Sequence, residues 1–119
     1  MNPWFPVVIH HNPKCGTSRN VLAAVQEAGH TPVVIEYLKT GWTRGQLFGL
    51  FAAAGMTPRQ ALREKEPLAA ELGLLADSAD AEQIVAAMVE HPVLVNRPIV
   101  ATPKGVKLCR PMELVGSLL

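Results

Sequence analysis

Between residues 7 and 37 the hydrophobic period changes twice, and this limits the chain to few folds. Val7-Val8-Ile9 follows Pro6 and contains no proline, so it reads as a buried β-strand. A polar loop over residues 10–16 comes next, carrying Asn12-Pro13 and Gly16. Val21, Leu22, Val25 and Ala28 then fall at helical spacing. They predict a helix over about residues 18–28, with Gly29 as its stop. Val33-Val34-Ile35-Glu36-Tyr37 is a second strand. Strand, helix and strand within about thirty residues make a βαβ unit, whose two strands pair in parallel.

The middle of the chain reads as helical. Thr43 and Gln46 match a capping box ahead of Leu47, Leu50, Phe51 and Ala54. Thr57-Pro58 looks like an N-cap followed by proline at the first helical position, opening a short helix to residue 63. A further short helix fits residues 67–74. Asp80 and Gln83 resemble a second capping box, before a helix with Ile84, Val85, Met88 and Val89 on one face. Then the period shortens again. Val93-Leu94-Val95, Ile99-Val100-Ala101 and Val106-Lys107-Leu108 read as three strands, the last two joined by a turn at Pro103-Lys104-Gly105. A final helix is expected over residues 111–119. The order implies an α/β fold: a thioredoxin-like mixed sheet flanked by helices, with a helical insert between the βαβ and ββα parts. No linker divides residues 1–119, which suit a single domain.

Composition narrows the function. Hydrophobic residues make up 49% and the formal net charge is +1. The first supports a packed core, and the second gives no electrostatic footprint for nucleic acid. No apolar run approaches the roughly 20 residues that span a bilayer. The start, residues 1–6, lacks the charged and apolar regions of a signal peptide. The expected compartment is the cytoplasm, where thiols stay reduced, so Cys15 and Cys109 are read for reactivity rather than as a structural disulfide.

Cys15 stands between a strand and a helix. The first N–H groups of a helix lack intrahelical partners and, with the helix dipole, favour an anion. The same geometry favours thiolate over thiol. Gly16 lets backbone approach a ligand, and the Thr17 and Ser18 hydroxyls can donate to a thiolate or oxyanion. Polar residues on both sides of Cys15 argue against burial. Ser18 occupies the fourth place of what would be a CxxC motif, so a dithiol oxidoreductase is not indicated. Arginine carries a planar fork of donors suited to oxyanions, and Arg19, Arg63, Arg97 and Arg110 lie near expected loops or helix starts. Arg97 directly precedes Pro98, a candidate cis bond. His11 can aid the thiolate electrostatically, whereas His10 reads as a strand-end residue. No cluster supplies the three or four ligands of a metal site. Cys109 reads first as a strand residue packed inward, with a resolving thiol as the alternative.

The segments His11-Asn12-Pro13-x-Cys15-Gly16-Thr17-Ser18-Arg19-Asn20, Leu62-Arg63, Asn96-Arg97-Pro98-Ile99-Val100 and Leu108-Cys109-Arg110-Pro111 occur in this order along nearly the whole chain. In them the sequence resembles the glutaredoxin-coupled arsenate reductase family. The resemblance implies a thioredoxin-like oxidoreductase with no bound cofactor, in which Cys15 attacks arsenate to form a covalent thiol–arsenate adduct. Glutathione, as co-substrate, and then glutaredoxin complete reduction to arsenite. It further implies that Arg63, Arg97 and Arg110 bind the oxyanion and that His11 and Ser18 keep the cysteine ionised. Two alternatives share the fold: a redox-responsive regulatory binding protein, for which a CxxC switch would be expected, and a glutathione-linked reductase with another substrate.

Overall fold

A computed structural model describes residues 6–119, so the reading of the chain's start lies outside it apart from Pro6. The described chain forms two compact units. One comprises residues 6–40 with Arg97–Leu119, and the other is Gly41–Asn96.

The first unit is built on a four-stranded sheet. Its strands are β1 (Val8–His10), β2 (Val33–Ile35), β3 (Ile99–Thr102) and β4 (Gly105–Leu108), in the spatial order β2-β1-β3-β4. Helix α1 (Gly16–Glu27) connects β1 to β2, and those strands are parallel, with Ile9 opposite Val34. This is the βαβ unit that the alternating periods imply. On its other side β1 pairs antiparallel with β3, placing Ile9 opposite Val100 and His10 opposite Ile99. A β1 flanked on both sides explains why Ile9 is fully buried. Strands β3 and β4 form a hairpin with Ile99 opposite Leu108.

Three expectations change here. Val93-Leu94-Val95 is not a strand: residues Pro92–Leu94 form a 3-10 helix. Pro92 follows a helix directly, has no N–H for a ladder, and its fixed φ suits the first position of a tight turn. Val95 makes only an isolated antiparallel bridge to Leu62. The second strand stops at Ile35, and Tyr37–Thr40 forms a short helix, α2. The closing segment Met112–Leu118 is a 3-10 helix rather than an α-helix, and it contains Gly116 and Ser117, both poor helix formers. It still packs on α1, β3 and β4. There Val115 and Leu118 join Val7, Ile9, Val21, Val25, Val100 and Cys109 in one apolar core.

The second unit is helical. It contains α3 (Arg44–Ala54), α4 (Pro58–Ala61), α5 (Pro67–Glu71) and α6 (Ala81–Glu90), with α6 packed on α3 and α4. Both capping boxes read from the sequence form, at Thr43–Gln46 and Asp80–Gln83, and Thr57–Gln60 makes a third. Gly55 ends α3 in the left-handed region, at φ 67°. Helix α4 is shorter than expected. It stops at Ala61, because Leu62 turns extended to bridge Val95 and Arg63 N–H donates to Leu94 O at 2.8 Å. Arg59 holds the turn after α5, donating to the carbonyls of Leu74, Ala76 and Ala79 at 3.3, 2.9 and 2.7 Å.

Two substitutions test this account. Ile9→Ala empties the centre of the sheet and should cost about 2–5 kcal/mol in urea unfolding. Asp80→Ala removes a cap and should cost about 1 kcal/mol, with Asp80→Ser close to neutral. Equal losses at the two sites would contradict the placement of Ile9 in the core.

Candidate active site

The site grows out of the end of β1. His11 N–H donates to Ile35 O at 2.8 Å, which carries sheet pairing one residue into the loop. The chain then turns, with Cys15 N–H donating to Asn12 O at 3.0 Å. Helix α1 begins at Gly16, two residues earlier than its apolar pattern suggests, because the pattern marks only the buried face. Cys15 is therefore the N-cap residue, with extended φ −96° and ψ 123°. Its carbonyl accepts the Arg19 N–H at 3.0 Å, and its side chain makes no capping hydrogen bond. A sulfur stands where serine or aspartate commonly caps, beside the unpaired N–H groups of the first turn.

The hairpin brings two arginines to this sulfur. Ile99 pairs with Leu108, and Cys109 N–H donates to Pro98 O at 2.9 Å, continuing the ladder one step. The next step outward sets Arg97 beside Arg110. Arg110 Nη1 donates to Arg97 O at 3.2 Å and lies 3.5 Å from Cys15 Sγ. The Arg97–Pro98 bond is cis, as expected, although a 3-10 helix rather than a strand precedes it, and Arg110–Pro111 is cis as well. Pairing of His10 with Ile99 aligns the cysteine loop with this end of the hairpin.

The electrostatics have a clear sign. Cys15 is only 6% exposed, against the expectation that polar neighbours keep it from burial. Burial pushes its pKa up. The Ser18 backbone N–H, the charge of Arg97, and the hydrogen bond and charge of Arg110 together outweigh that effect, and the thiol titrates below its ordinary value. The Ser18 N–H lies in the first turn and favours the anion without closing a capping hydrogen bond to the sulfur. The Ser18 hydroxyl is engaged elsewhere: Oγ accepts the Asn12 N–H at 3.0 Å and lies 2.7 Å from His11 Nδ1. Burial lowers the His11 pKa, with Glu36 opposing and Arg19 reinforcing. A neutral His11 ring can accept the Ser18 hydroxyl proton at Nδ1.

The other expected residues are distributed as follows. Thr17 is half-buried in the first turn of α1, and Gly16 is exposed. A Cβ at Gly16 would meet only Arg19 Nη2, at 3.8 Å, so the protein's own packing leaves room there. His10 is a strand-end residue, and burial lowers its pKa to about 4. Cys109 lies in the core, where burial pushes its thiol up to about 11 against the opposing charge of Lys107. It has the character of a packed residue. Arg63 belongs to the helical unit, with Nη1 3.5 Å from Glu66 Oε2 and a buried Nε that makes no hydrogen bond. Two loop residues carry more than their sequence reading. Arg19 donates to Pro13 O at 2.9 Å, and Asn12 bonds to Lys14, Cys15 and Ser18. The Asn-Pro pair three residues before a cap position is the signal that could have pointed to Asn12.

Among the described residues no group of three or more His, Cys, Asp or Glu could hold a metal ion, and no helix is long and apolar enough to cross a membrane.

The ArsC family model matches residues 10–118. The chain is 63% identical over 113 residues to arsenate reductase ArsI2 of Synechocystis sp., covering 95% of this chain and 81% of that protein. It is 46% identical to an arsenate reductase of Escherichia coli, over 95% of this chain and 80% of that one. An arsenate reductase structure from Vibrio cholerae superposes with a TM-score of 0.92 at 40% identity, covering 97% of this chain and 98% of the other. The matched span contains Cys15, Arg63, Arg97 and Arg110, and the sheet order and insert are those of a thioredoxin-like fold; the chain belongs to the ArsC family.

Proposed function

We propose that this protein is a cytoplasmic arsenate reductase with Cys15 as its nucleophile. The observation that carries the reading is a cysteine at the N-cap of α1 whose sulfur lies 3.5 Å from Arg110 Nη1. The relatives named as arsenate reductases agree with it.

The chemistry follows from charge. A thiolate is the nucleophilic form, and the helix N-terminus with Arg97 and Arg110 favours it relative to an ordinary cysteine. The same cations and N–H groups suit the oxygens of arsenate as sulfur attacks arsenic and a hydroxide leaves as water. The resulting Cys15–arsenate adduct still contains As(V). Attack by the thiol of glutathione on the Cys15 sulfur forms a Cys15–glutathione disulfide and leaves two electrons on arsenic, which departs as arsenite. Glutaredoxin then reduces the mixed disulfide. Gly16 and Thr17 complete the proposed oxyanion-binding set on the sheet unit, the family resemblance alone adds Arg63 as an oxyanion-binding residue, and His11 supports the loop through Ser18.

An external thiol is favoured over an internal one by the state of Cys109. It is buried, with a pKa of about 11, so little of it is thiolate near neutrality. Cys15→Ser should abolish arsenate-dependent NADPH oxidation in an assay coupled through glutathione, glutaredoxin and glutathione reductase. Cys109→Ser should leave it nearly intact. Mass spectrometry after turnover without glutaredoxin should find one glutathione on Cys15. An intramolecular Cys15–Cys109 disulfide, with activity lost in Cys109→Ser, would overturn the one-thiol scheme.

The arginines make a second test. In a Cys109→Ser background the alkylation rate of Cys15 should rise with pH to a plateau, with a midpoint below about 8.5. Arg97→Ala and Arg110→Ala should each move that midpoint upward, since each removes a charge that favours the thiolate. Arg97→Ala should also slow arsenate turnover by on the order of 3 kcal/mol in barrier, with only partial rescue by Arg97→Lys, whose point charge lacks the fork. Full arsenate turnover in all three of Arg63→Ala, Arg97→Ala and Arg110→Ala would refute the oxyanion site.

A further inference from the structure

Asn12 is a buried polar residue two positions beyond the end of β1, only 5% exposed. Buried polar groups are costly unless hydrogen-bonded, so where its bonds go indicates what it does. All three bonds stay within the cysteine loop and the first turn of α1. Its side-chain Oδ1 accepts the Lys14 N–H at 3.0 Å, its carbonyl accepts the Cys15 N–H at 3.0 Å, and its own N–H donates to Ser18 Oγ at 3.0 Å.

From this geometry we infer that Asn12 is a positioning residue for the Cys15 thiolate. The inference rests on the reading of Cys15 as the reactive thiol, but not on the identity of the oxyanion. The Oδ1 bond makes an Asx turn, in which a side chain replaces a backbone acceptor and sets the direction of the next two residues. Pro13 already restricts Asn12 to extended conformations. The Asx turn and the Cys15 N–H bond then fix residues 13–15, leaving Cys15 extended at the cap. The third bond acts from the far side of the loop. By engaging Ser18 Oγ together with His11, Asn12 helps keep that hydroxyl off the helix terminus, which leaves the N–H groups of the first turn to the sulfur.

Charge explains why an amide suits this position. Aspartate would accept the Lys14 N–H equally well, but it would set a carboxylate within the turn that carries the thiolate. Like charge disfavours ionisation. Asparagine supplies the acceptor without the opposing anion. Serine could retain a weaker turn of the same kind.

The test reads the thiol and needs no arsenate. In the Cys109→Ser background, the pH midpoint of Cys15 alkylation is measured for Asn12→Ala, Asn12→Ser and Asn12→Asp, with circular dichroism and Tm for each. Asn12→Ala should raise the midpoint by roughly 0.5 to 1 pH unit, the scale of one lost hydrogen bond. Asn12→Ser should lie between it and the parent. Asn12→Asp should raise the midpoint while keeping the turn, and added salt should shrink that shift. If Asn12→Ala does not fold, the Ser and Asp variants carry the test. An unchanged midpoint in a folded Asn12→Ala or Asn12→Asp variant would overturn the inference. A parent protein that fails to reduce arsenate would count against the proposed function and leave this measurement intact.

Discussion

The pairing of β1 on both of its edges is the constraint on which the site depends. Its parallel partner β2 arrives by way of α1, so the loop between β1 and α1 must lie at the carboxyl end of β1. Its antiparallel partner β3 begins at that same end, with Ile99 opposite His10. One register therefore sets two things side by side: the N-terminus of α1, which carries Cys15, and the open end of the β3–β4 hairpin, which carries Arg97 and Arg110. A slip of one residue would turn Ile9 out of the core and change the side chains presented at this end. Packing of Ile9, Val100 and Val25 in the apolar core thus holds the polar chemistry in place.

At the sulfur two opposed effects are balanced. Burial disfavours any charge, and for Cys109, with only Lys107 against it, burial prevails. Cys15 is also buried, yet a backbone N–H and two guanidinium groups reverse the sign. The two cysteines are thus separated in reactivity by their surroundings. One sits at a helix N-terminus facing cations. The other follows β4 and faces valines and leucines.

Much of the local structure was legible in the residues. Capping boxes at Thr43 and Asp80 mark helix starts because the side-chain bonds that form them span only three residues. The βαβ unit follows from two changes of hydrophobic period. The reading failed where a local signal had to compete with a neighbour in space. Val93-Leu94-Val95 has strand composition, but Pro92 begins a 3-10 turn and Leu62 supplies a single bridge in place of a sheet. The expectation of an exposed Cys15 failed because the polar side chains around it bond to one another and to backbone across the loop. His11 and Asn12 are buried with it.

Residue order alone determined which groups the protein has for chemistry: one cysteine ahead of a helix, no second cysteine in a CxxC spacing, and arginines next to prolines at the edges of the hairpin. Those are properties of type and spacing, readable along one dimension. Only the tertiary structure decided that Arg110, 95 positions from Cys15, donates to its sulfur. It also decided that the Ser18 hydroxyl bonds to Asn12 and lies against His11 rather than the sulfur, and that Asn12 holds the turn between them. The reason is physical. Hydrogen bonds and ion pairs act over a few ångströms, and which groups come that close is set by strand register and core packing rather than by separation in the chain.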